Sequence, residues 1–240
     1  MSKIIAMWSG PRNLSTAMMR SFGNRTDCVA MDEPFYAACL RETGQDHPMR
    51  DEIIAHHETD TDKIVEACLA TGAASIIYQK HMMHHMVDGF PLEWVGQVTN
   101  VFLIRDPARV LASYSAKWDN LSLRDVGYKE QRALYNRLSG EGPPPPVVDA
   151  ADIRANPSGV LTKLCEAIDI PFQEAMLSWE PGQRPEDGVW GAHWYDAIWK
   201  STGFAPPDDR PIPTLNPALQ TIYDAVIEDY EFMKRQCLRP

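Results

Sequence analysis

The segment MWSGPRNLST, Met7–Thr16, combines a tight turn with residue types that bind anions. It follows the apolar run IIAM and precedes good helix formers, which predicts a strand, a turn and a helix start. Unpaired backbone N–H groups and the positive dipole end of such a helix suit a phosphate-like anion. Arg12 could add a cation, and Ser15 and Thr16 could add hydroxyl donors. On this segment alone, an ordinary β-turn-α connection with a surface arginine is the alternative interpretation.

A second segment, LIRDPARVLASY, also combines an arginine with a side-chain hydroxyl. Arg105 ends an apolar run and Ser113 follows eight positions later (113 − 105 = 8), about two helical turns into the next helix. Held that way, the two groups could bind a second phosphate. The alternative is that Arg105 pairs with a local carboxylate and that Ser113 is a small packing residue. Two anion sites at one sheet edge favour a ligand with phosphates at two separate places.

The elements that must position these residues alternate between short apolar strands and amphipathic helices. Strands are predicted at KIIAMW, CVAMDEPF, ASIIYQK, NVFLIRDP and VVDAADI. Helices are predicted at NLSTAMMRSFGNR, PARVLASYSAKW, PSGVLTKLCEAIDI and NPALQTIYDAVIEDYEFMKRQ. This alternation predicts one α/β domain over residues 1–240 with a mostly parallel sheet. Ligands of such sheets gather at the carboxyl ends of strands, where Arg12, Glu33, Lys80 and Arg105 are expected.

Composition narrows the class of partner. The net charge of −10 argues against nucleic-acid or anionic-membrane binding, because it repels polyanions at long range. No apolar run approaches the roughly 20 residues that span a bilayer, and the N-terminal run is too short for a secretory signal. Five scattered cysteines without a CxxC spacing are typical of free thiols in a reducing compartment. We therefore expect a cytoplasmic protein that acts on a small molecule.

The first loop departs from the motif of nucleoside triphosphatases. That motif reads GxxxxGK[ST], with a lysine for the phosphates and a hydroxyl for Mg²⁺. This loop lacks the Gly-Lys pair and has Leu14 where a glycine is expected. A P-loop kinase that uses ATP is therefore the weaker of two enzyme hypotheses.

Together, SGPRNLST and FLIRDPARVLASY resemble the two phosphate-binding signatures of sulfotransferases that use 3′-phosphoadenylyl sulfate (PAPS). VVDAADIRANPSGVLTKLCEAIDIPF also resembles the strand and Asn-Pro-led helix of that family. The resemblance implies a three-layer, P-loop-like sandwich and PAPS as co-substrate. In the family, the first loop holds the 5′-phosphosulfate, and the arginine and serine of the second hold the 3′-phosphate. Here Leu14 replaces the loop glycine and Asn13 a serine.

The resemblance also implies a role for individual residues. Arg12 matches the loop cation that neutralises the transferring group, and Lys80 matches a lysine that supports the bridging oxygen. A late loop with a glycine and a cation covers the nucleotide in the family, and Lys200-Ser201-Thr202-Gly203 is its expected counterpart, with Lys200 as the cation. The residues expected to bind PAPS are Pro11, Arg12, Asn13, Leu14, Ser15, Thr16, Arg105, Ser113 and Lys200. Because cationic side chains can stabilise the departing phosphate, we expect transfer without a metal ion.

Two residues are candidates for the base that deprotonates the acceptor hydroxyl or amine. Glu33 ends the second predicted strand and resembles the glutamate base of tyrosylprotein-type and bacterial glycolipid-type sulfotransferases. His81 follows Lys80 and resembles the catalytic histidine of the cytosolic enzymes, which lies one position further from the lysine. A base works best with a pKa near the working pH, which favours histidine unless the glutamate pKa is raised. Strand-end placement favours Glu33, which we take as the first candidate.

Two further segments invite a functional interpretation. KHMMHHM places His81 and His85 at i, i+4, a spacing that could bind zinc from one helical face, but without the carboxylate of HExxH. Packing or an adaptable pocket wall is the preferred interpretation there. VWGAHWYDAIWKSTGF carries Trp190, Trp194 and Trp199, which either stack on the ligands or pack the last helix. A non-catalytic nucleotide-binding protein is the hypothesis from outside the enzymes.

Overall fold

The centre of the protein is one sheet of parallel strands. A computed structural model describes residues 2–118 and 121–239. Its strands are β1 (Lys3–Ser9), β2 (Cys28–Asp32), β3 (Ile76–Met82), β4 (Thr99–Ile104) and β5 (Val147–Asp149). The strand order is β2-β3-β1-β4-β5, and each neighbouring pair runs parallel. The predicted α/β class with a parallel sheet is confirmed.

Helices follow the strands and cover both faces of the sheet. In the described part of the chain they are α1 (Ser15–Gly23), α2 (Tyr36–Thr43), α3 (Arg50–His56), α4 (Thr61–Leu69), α5 (Pro107–Ser115), α6 (Leu123–Val126), α7 (Tyr128–Glu141), α8 (Ala150–Ala155), α9 (Pro157–Ala167), α10 (Gly191–Trp194) and α11 (Pro217–Arg235). Short 3-10 turns occur at Met83–His85, Glu93–Gln97 and Glu174–Leu177.

Three helices begin with the same local chemistry. Asp106, Asn156 and Asn216 each accept a hydrogen bond from a backbone N–H of the first turn, and a proline follows each of them. The carbonyl or carboxylate oxygen satisfies a donor that the helix leaves unpaired. Proline has no N–H to lose there and has a helical φ already. The sequence therefore indicates where α5, α9 and α11 begin.

The alternation of side chains along each strand divides the core into two layers. Ile5 and Met7 of β1 pack with α1 and α9 on one face of the sheet. Ala6 and Trp8 of the same strand pack with α2, α4, α7 and α11 on the other. Because neighbouring strand residues point to opposite faces, one strand serves both layers. The result is the three-layer sandwich that the resemblance implied.

One predicted strand is shorter than expected. VVDAADI forms a strand only over Val147–Asp149, and α8 starts at Ala150. The Asp149 side chain accepts a hydrogen bond from the N–H of Ala151, which caps the helix and ends the strand. In residues 2–118 and 121–239, no helix is both long and apolar enough to cross a membrane.

Candidate active site

A cavity of about 290 Å³ opens at the carboxyl ends of the strands. The residues of both anion-binding motifs that line it are Pro11, Arg12, Asn13, Leu14, Ser15, Thr16, Arg105 and Ser113. Glu33 and Lys80 line the same cavity, although they come from the ends of β2 and β3. The topology therefore brings the sequence-predicted groups of four strand ends into one space, as expected for a parallel sheet.

The loop between β1 and α1 has a backbone shaped for an anion. Arg12 and Leu14 have positive φ values of 56° and 72°, with Asn13 between them. Backbone that alternates in handedness turns successive N–H groups toward one point, forming a concave anion nest. Leu14 is also the N-cap of α1 and has no polar side-chain atom to cap the helix. The first-turn N–H groups therefore lack the usual partner on the cavity side of α1.

Two buried contacts fix the position of this loop. The Asn13 amide donates to the carbonyl of Leu103 in β4 over 3.2 Å. A Cβ atom placed on Gly10 would lie 2.6 Å from the carbonyl oxygen of Val126, so only glycine fits this close approach. Asn13 therefore contributes to the cavity through its backbone, while its side chain anchors the loop to the sheet.

Direct hydrogen bonds join the two motifs. Arg12 donates from Nε to Oγ of Ser113 over 3.1 Å, and Arg105 donates from Nη1 to the carbonyl of Arg12 over 2.7 Å. Burial lowers the pKa of both guanidinium groups. Both stay charged at neutral pH, because an arginine pKa starts above 12. The cavity therefore has a cationic end formed by Arg12 and Arg105.

Lys80 lies at the centre of a buried polar cluster and is 1 % exposed. Its Nζ lies 3.0 Å from Oδ1 of Asp32, 2.5 Å from Oε1 of Glu33 and 2.5 Å from the hydroxyl of Tyr195. The Tyr195 hydroxyl in turn donates to Oδ2 of Asp32 over 2.7 Å. Burial by itself lowers the pKa of Lys80, but the two carboxylates outweigh it and the net pKa is raised. Lys80 is therefore a permanent ammonium at the wall of the cavity.

Glu33 has the environment of a general base. Burial and the neighbouring charge of Asp32 raise its pKa to about 7, while Lys80 acts in the opposite direction. A carboxylate with a pKa near neutral can take a proton and release it again at the working pH. Its backbone has a positive φ of 43°, which is uncommon for a residue other than glycine. Such strained backbone is often found at functional sites.

The structure corrects the expectation that His81 could serve as the base. His81 follows Lys80 in β3 and therefore points to the opposite face of the sheet. Its ring stacks on Trp8 with centroids 4.5 Å apart, and its Nε2 lies 3.0 Å from Oε1 of Gln79. Burial lowers its pKa to about 3. His81 is not among the residues that line the cavity, so Glu33 is the base candidate that the geometry retains.

KHMMHHM does not form the helix that the zinc alternative assumed. His81 belongs to a strand and His85 to the 3-10 turn that follows it, so the i, i+4 spacing does not place them on a helix. Among residues 2–118 and 121–239, no three His, Cys, Asp or Glu side chains are grouped to hold a metal ion.

The late aromatic segment contributes to the cavity in part. Lys200 is exposed and does not line the cavity, contrary to expectation, whereas Ser201 and Gly203 beside it do. Trp194 lines the cavity and stacks on His47, with ring centroids 5.3 Å apart. The other two tryptophans are structural. Trp190 donates to the Tyr195 hydroxyl over 3.1 Å, and Trp199 donates to Oδ2 of Asp187 over 3.0 Å.

Sequence reasoning missed several residues of the cavity wall. The missed lining residues are Tyr36, His47, His85, Tyr114 and Tyr195. Asp32, which does not line the cavity but contacts Lys80, was also missed. The position of Asp32 beside Glu33 at a strand end is a sequence signal that could have identified it. No such signal exists for Tyr195, because it reaches Lys80 from a segment 115 residues further along the chain that shows no strand or turn motif.

Comparison with known proteins connects this geometry to one family. The model of a family described as "Sulfotransferase domain" matches residues 2–237. Two curated proteins of Arabidopsis thaliana, "Branched-chain-amino-acid aminotransferase-like protein 2" and "Branched-chain-amino-acid aminotransferase-like protein 1", are each 38% identical over 210 residues. The match covers 87% of this chain but only 37% and 38% of those proteins. The chain therefore spans less than two fifths of the curated relatives it matches.

Solved structures with a similar fold extend over nearly the whole chain. The "Sulfotransferase Domain from the Synechococcus PCC 7002 Olefin Synthase" has a TM-score of 0.58 at 16% identity and covers 96% of this chain and 94% of that one. The "Sulfotransferase Domain from the Curacin Biosynthetic Pathway" has a TM-score of 0.55 at 16% identity, with 95% and 98% covered. A sulfotransferase from Alicyclobacillus acidocaldarius has a TM-score of 0.53 at 10% identity, with 99% and 98% covered. At these identities the likeness is one of fold.

Proposed function

Since this chain belongs to the sulfotransferase domain family, we propose that it transfers a sulfuryl group from PAPS to a hydroxyl or amine of a small acceptor. The observation that carries the proposal is that Arg12, Lys80, Glu33 and Arg105 line a single cavity with the N-terminus of α1. This set provides two cationic positions for phosphate, a buried ammonium and a carboxylate.

The cationic end of the cavity supports a donor with two phosphate positions. The nest at Arg12–Leu14 and the N-terminus of α1 suit the 5′-phosphosulfate, since both present backbone N–H groups to an anion. Arg105 and Ser113 suit the 3′-phosphate. Arg12 is hydrogen-bonded to Ser113, and Arg105 to the carbonyl of Arg12, so the two proposed phosphate positions are held at a fixed spacing.

The proposed reaction gives a role to each charged group that lines the cavity. In the proposed step, a lone pair of the acceptor forms a bond to sulfur as the bond from sulfur to the bridging oxygen breaks. The electron pair of the broken bond stays on the 5′-phosphate, and the acceptor proton passes to Glu33. Arg12 and Lys80 stabilise the negative charge that develops on the transferring group and the departing phosphate. Positioning and charge stabilisation carry most of such a transfer.

A ligand-binding series tests the donor assignment. Adenosine 3′,5′-bisphosphate, the product left by PAPS, is expected to raise the thermal unfolding midpoint of the chain selectively. Stabilisation by ATP with Mg²⁺ in its place supports a kinase, and stabilisation by neither supports a protein without a nucleotide site. Transfer of sulfur-35 from labelled PAPS to a metabolite pool then separates catalysis from binding.

The names of the curated relatives describe proteins more than twice as long as the matched region. We therefore propose no aminotransferase activity for this chain. Lys80, the lysine of the cavity, is held by two carboxylates and a tyrosine hydroxyl as an ammonium. Such a lysine is poorly suited to the neutral amine that Schiff-base chemistry requires.

A further inference from the structure

One imidazole of the cavity wall has a buried nitrogen that the proposed transfer does not use. His85 is 3% exposed and lines the cavity. Its Nδ1 is buried and has no hydrogen-bond partner among the described residues. The same nitrogen lies 3.7 Å from Oε2 of Glu33, too far for a direct hydrogen bond. A buried polar atom without a partner destabilises the fold unless a ligand satisfies it, so this nitrogen is a candidate for ligand binding.

The His85 ring is held in place by its neighbours. It stacks on Tyr36 with ring centroids 4.2 Å apart and an interplanar angle of 12°, and His84 packs against it edge-on at 4.3 Å. The Tyr36 hydroxyl is itself hydrogen-bonded to Nδ1 of His47. The direction of the unpartnered His85 nitrogen is therefore set by packing before any ligand binds.

The two oxygens of Glu33 have different surroundings. Oε1 contacts the Lys80 ammonium and lies 3.5 Å from the Tyr195 hydroxyl. Oε2 faces His85 and is the oxygen left to receive a proton. Two polar atoms 3.7 Å apart can both reach one small atom at ordinary hydrogen-bond lengths of about 2.8 Å.

We propose that the acceptor is a hydroxyl compound and not an amine, and that its oxygen binds between Oε2 of Glu33 and Nδ1 of His85. This inference rests on the proposed sulfuryl transfer. The acceptor O–H donates to Glu33, and its oxygen accepts a hydrogen bond from His85.

The protonation of His85 fits this arrangement. Burial lowers its pKa well below 6.5, so the ring is neutral and carries one N–H. The carboxylate oxygen opposite Nδ1 favours the tautomer with the hydrogen on that nitrogen. His85 is therefore a hydrogen-bond donor toward the acceptor position.

The count of lone pairs separates the two acceptor classes. A hydroxyl oxygen has two, so one can attack sulfur while the other accepts the hydrogen bond from His85. The bond from oxygen to sulfur forms, the bond from sulfur to the bridging oxygen breaks, and the proton moves to Oε2 of Glu33. A neutral amine nitrogen has one lone pair, so during attack it leaves the His85 N–H unpaired. An unmade hydrogen bond in a buried site is what discriminates strongly between such analogues.

The test uses trifluoroethanol and trifluoroethylamine, an isosteric pair whose amine is largely unprotonated at neutral pH. Each is incubated with the full chain and sulfur-35-labelled PAPS, beside water alone as the smallest hydroxyl acceptor. We expect the alcohol sulfate and slow release of inorganic sulfate, and no sulfamate from the amine. His85→Leu is expected to lower kcat/KM for the alcohol about 10- to 100-fold, the worth of one strong hydrogen bond, with the KM for PAPS unchanged. His85→Asn, whose amide N–H can take the place of Nδ1–H, is expected to recover most of the rate.

Formation of sulfamate at a rate comparable to the alcohol sulfate overturns the inference, and so does an unchanged rate in His85→Leu. Thermal stabilisation of both variants by adenosine 3′,5′-bisphosphate shows that they fold and keep the donor site. If the wild type is stabilised by the bisphosphate but sulfates neither the alcohol nor water, the acceptor position is wrong and the donor site stands. If the bisphosphate does not stabilise the wild type, the proposed function itself has failed.

Discussion

Nε of Arg12 donates a hydrogen bond to Oγ of Ser113, a residue 101 positions later in the chain. The contact joins the turn after β1 to the second helical turn of α5, so the two motifs that we propose bind the phosphates form one surface. Each motif therefore also helps to hold the other in position. Substitutions at this junction are therefore expected to separate binding of the two ends of a nucleotide.

Arg105→Ala is expected to weaken binding of adenosine 3′,5′-bisphosphate about 10- to 100-fold, because it removes a charged hydrogen-bond donor from the proposed 3′-phosphate position. Binding of adenosine 5′-monophosphate, which lacks that phosphate, is expected to change only a few-fold. Isothermal titration calorimetry measures both. Arg137→Ala is the matched control, since Arg137 pairs with Glu141 on the exposed side of α7. Equal losses for both nucleotides contradict the assignment of the 3′-phosphate to Arg105.

Glu33→Gln is expected to lower kcat about 100- to 10,000-fold, the range typical of general-base catalysis, while the bisphosphate still binds. The comparison variant is His81→Gln, which keeps a polar side chain on the opposite face of the sheet and is expected to stay within a few-fold of wild type. Steady-state transfer from labelled PAPS measures both. A fully active Glu33→Gln beside an inactive, folded His81→Gln reverses the assignment.

The pH dependence of the wild type tests the same carboxylate independently. A base acts in its deprotonated form, and burial raises the pKa of Glu33 to about 7. The value of kcat/KM is therefore expected to fall as the pH drops below about 7 and to level off above it. A glutamate with its ordinary pKa of about 4.3 keeps the plateau down to roughly pH 5. A measured plateau of kcat/KM that extends down to roughly pH 5 indicates that Glu33 is not the base or is not desolvated.

Leu14 has a φ of 72°, a conformation that glycine adopts without a steric penalty. Leu14→Gly and Leu14→Ala both remove the contacts of the leucine side chain with the core, but only the alanine keeps the strained Cβ. The glycine variant is expected to be more stable than the alanine variant by about 1 kcal/mol. Urea unfolding measures the difference. An alanine variant at least as stable as the glycine variant shows that the backbone is not strained at this position.

A buried ion pair anchors the aromatic segment to α1. Arg20 is fully buried, and its Nη2 lies 2.6 Å from Oδ2 of Asp187, which also accepts from Trp199. Asp187→Ala is expected to reduce the free energy of unfolding by about 3 kcal/mol, the lower end of the range for a broken buried pair, because Glu186, 3.5 Å from Nη1 of Arg20, remains as a second carboxylate partner. The double variant Arg20→Met with Asp187→Leu is expected to recover much of that loss. Urea unfolding that finds less than about 1 kcal/mol for the single variant excludes a major role for this pair.

The part of the cavity that we propose binds the sulfuryl donor could be predicted because its residues belong to short local motifs. Arg12 follows the end of β1 and Arg105 follows the end of β4, while Ser113 lies in the second turn of α5, the helix that comes after β4. A parallel sheet brings these strand ends together without further information. The same argument brought in Glu33 and Lys80.

The part of the cavity that we propose binds the acceptor could not be predicted in this way. Tyr195 and Trp194 come from a segment whose position depends on the buried Arg20–Asp187 pair, a contact across 167 residues. His85 reaches the cavity because the chain leaves β3 at Met82 and turns. The weaker standing of His81, the second base candidate, could have been inferred from the sequence, since two successive strand residues point to opposite faces of a sheet and Lys80 was already assigned to the cavity.

A crystal structure of the chain with adenosine 3′,5′-bisphosphate would show where both phosphates of the nucleotide bind. We expect the 5′-phosphate at the Arg12–Leu14 nest and the first turn of α1, and the 3′-phosphate between Arg105 and Ser113. A bisphosphate bound outside this cavity, or bound in it with the 3′-phosphate away from Arg105, would refute the proposed donor site.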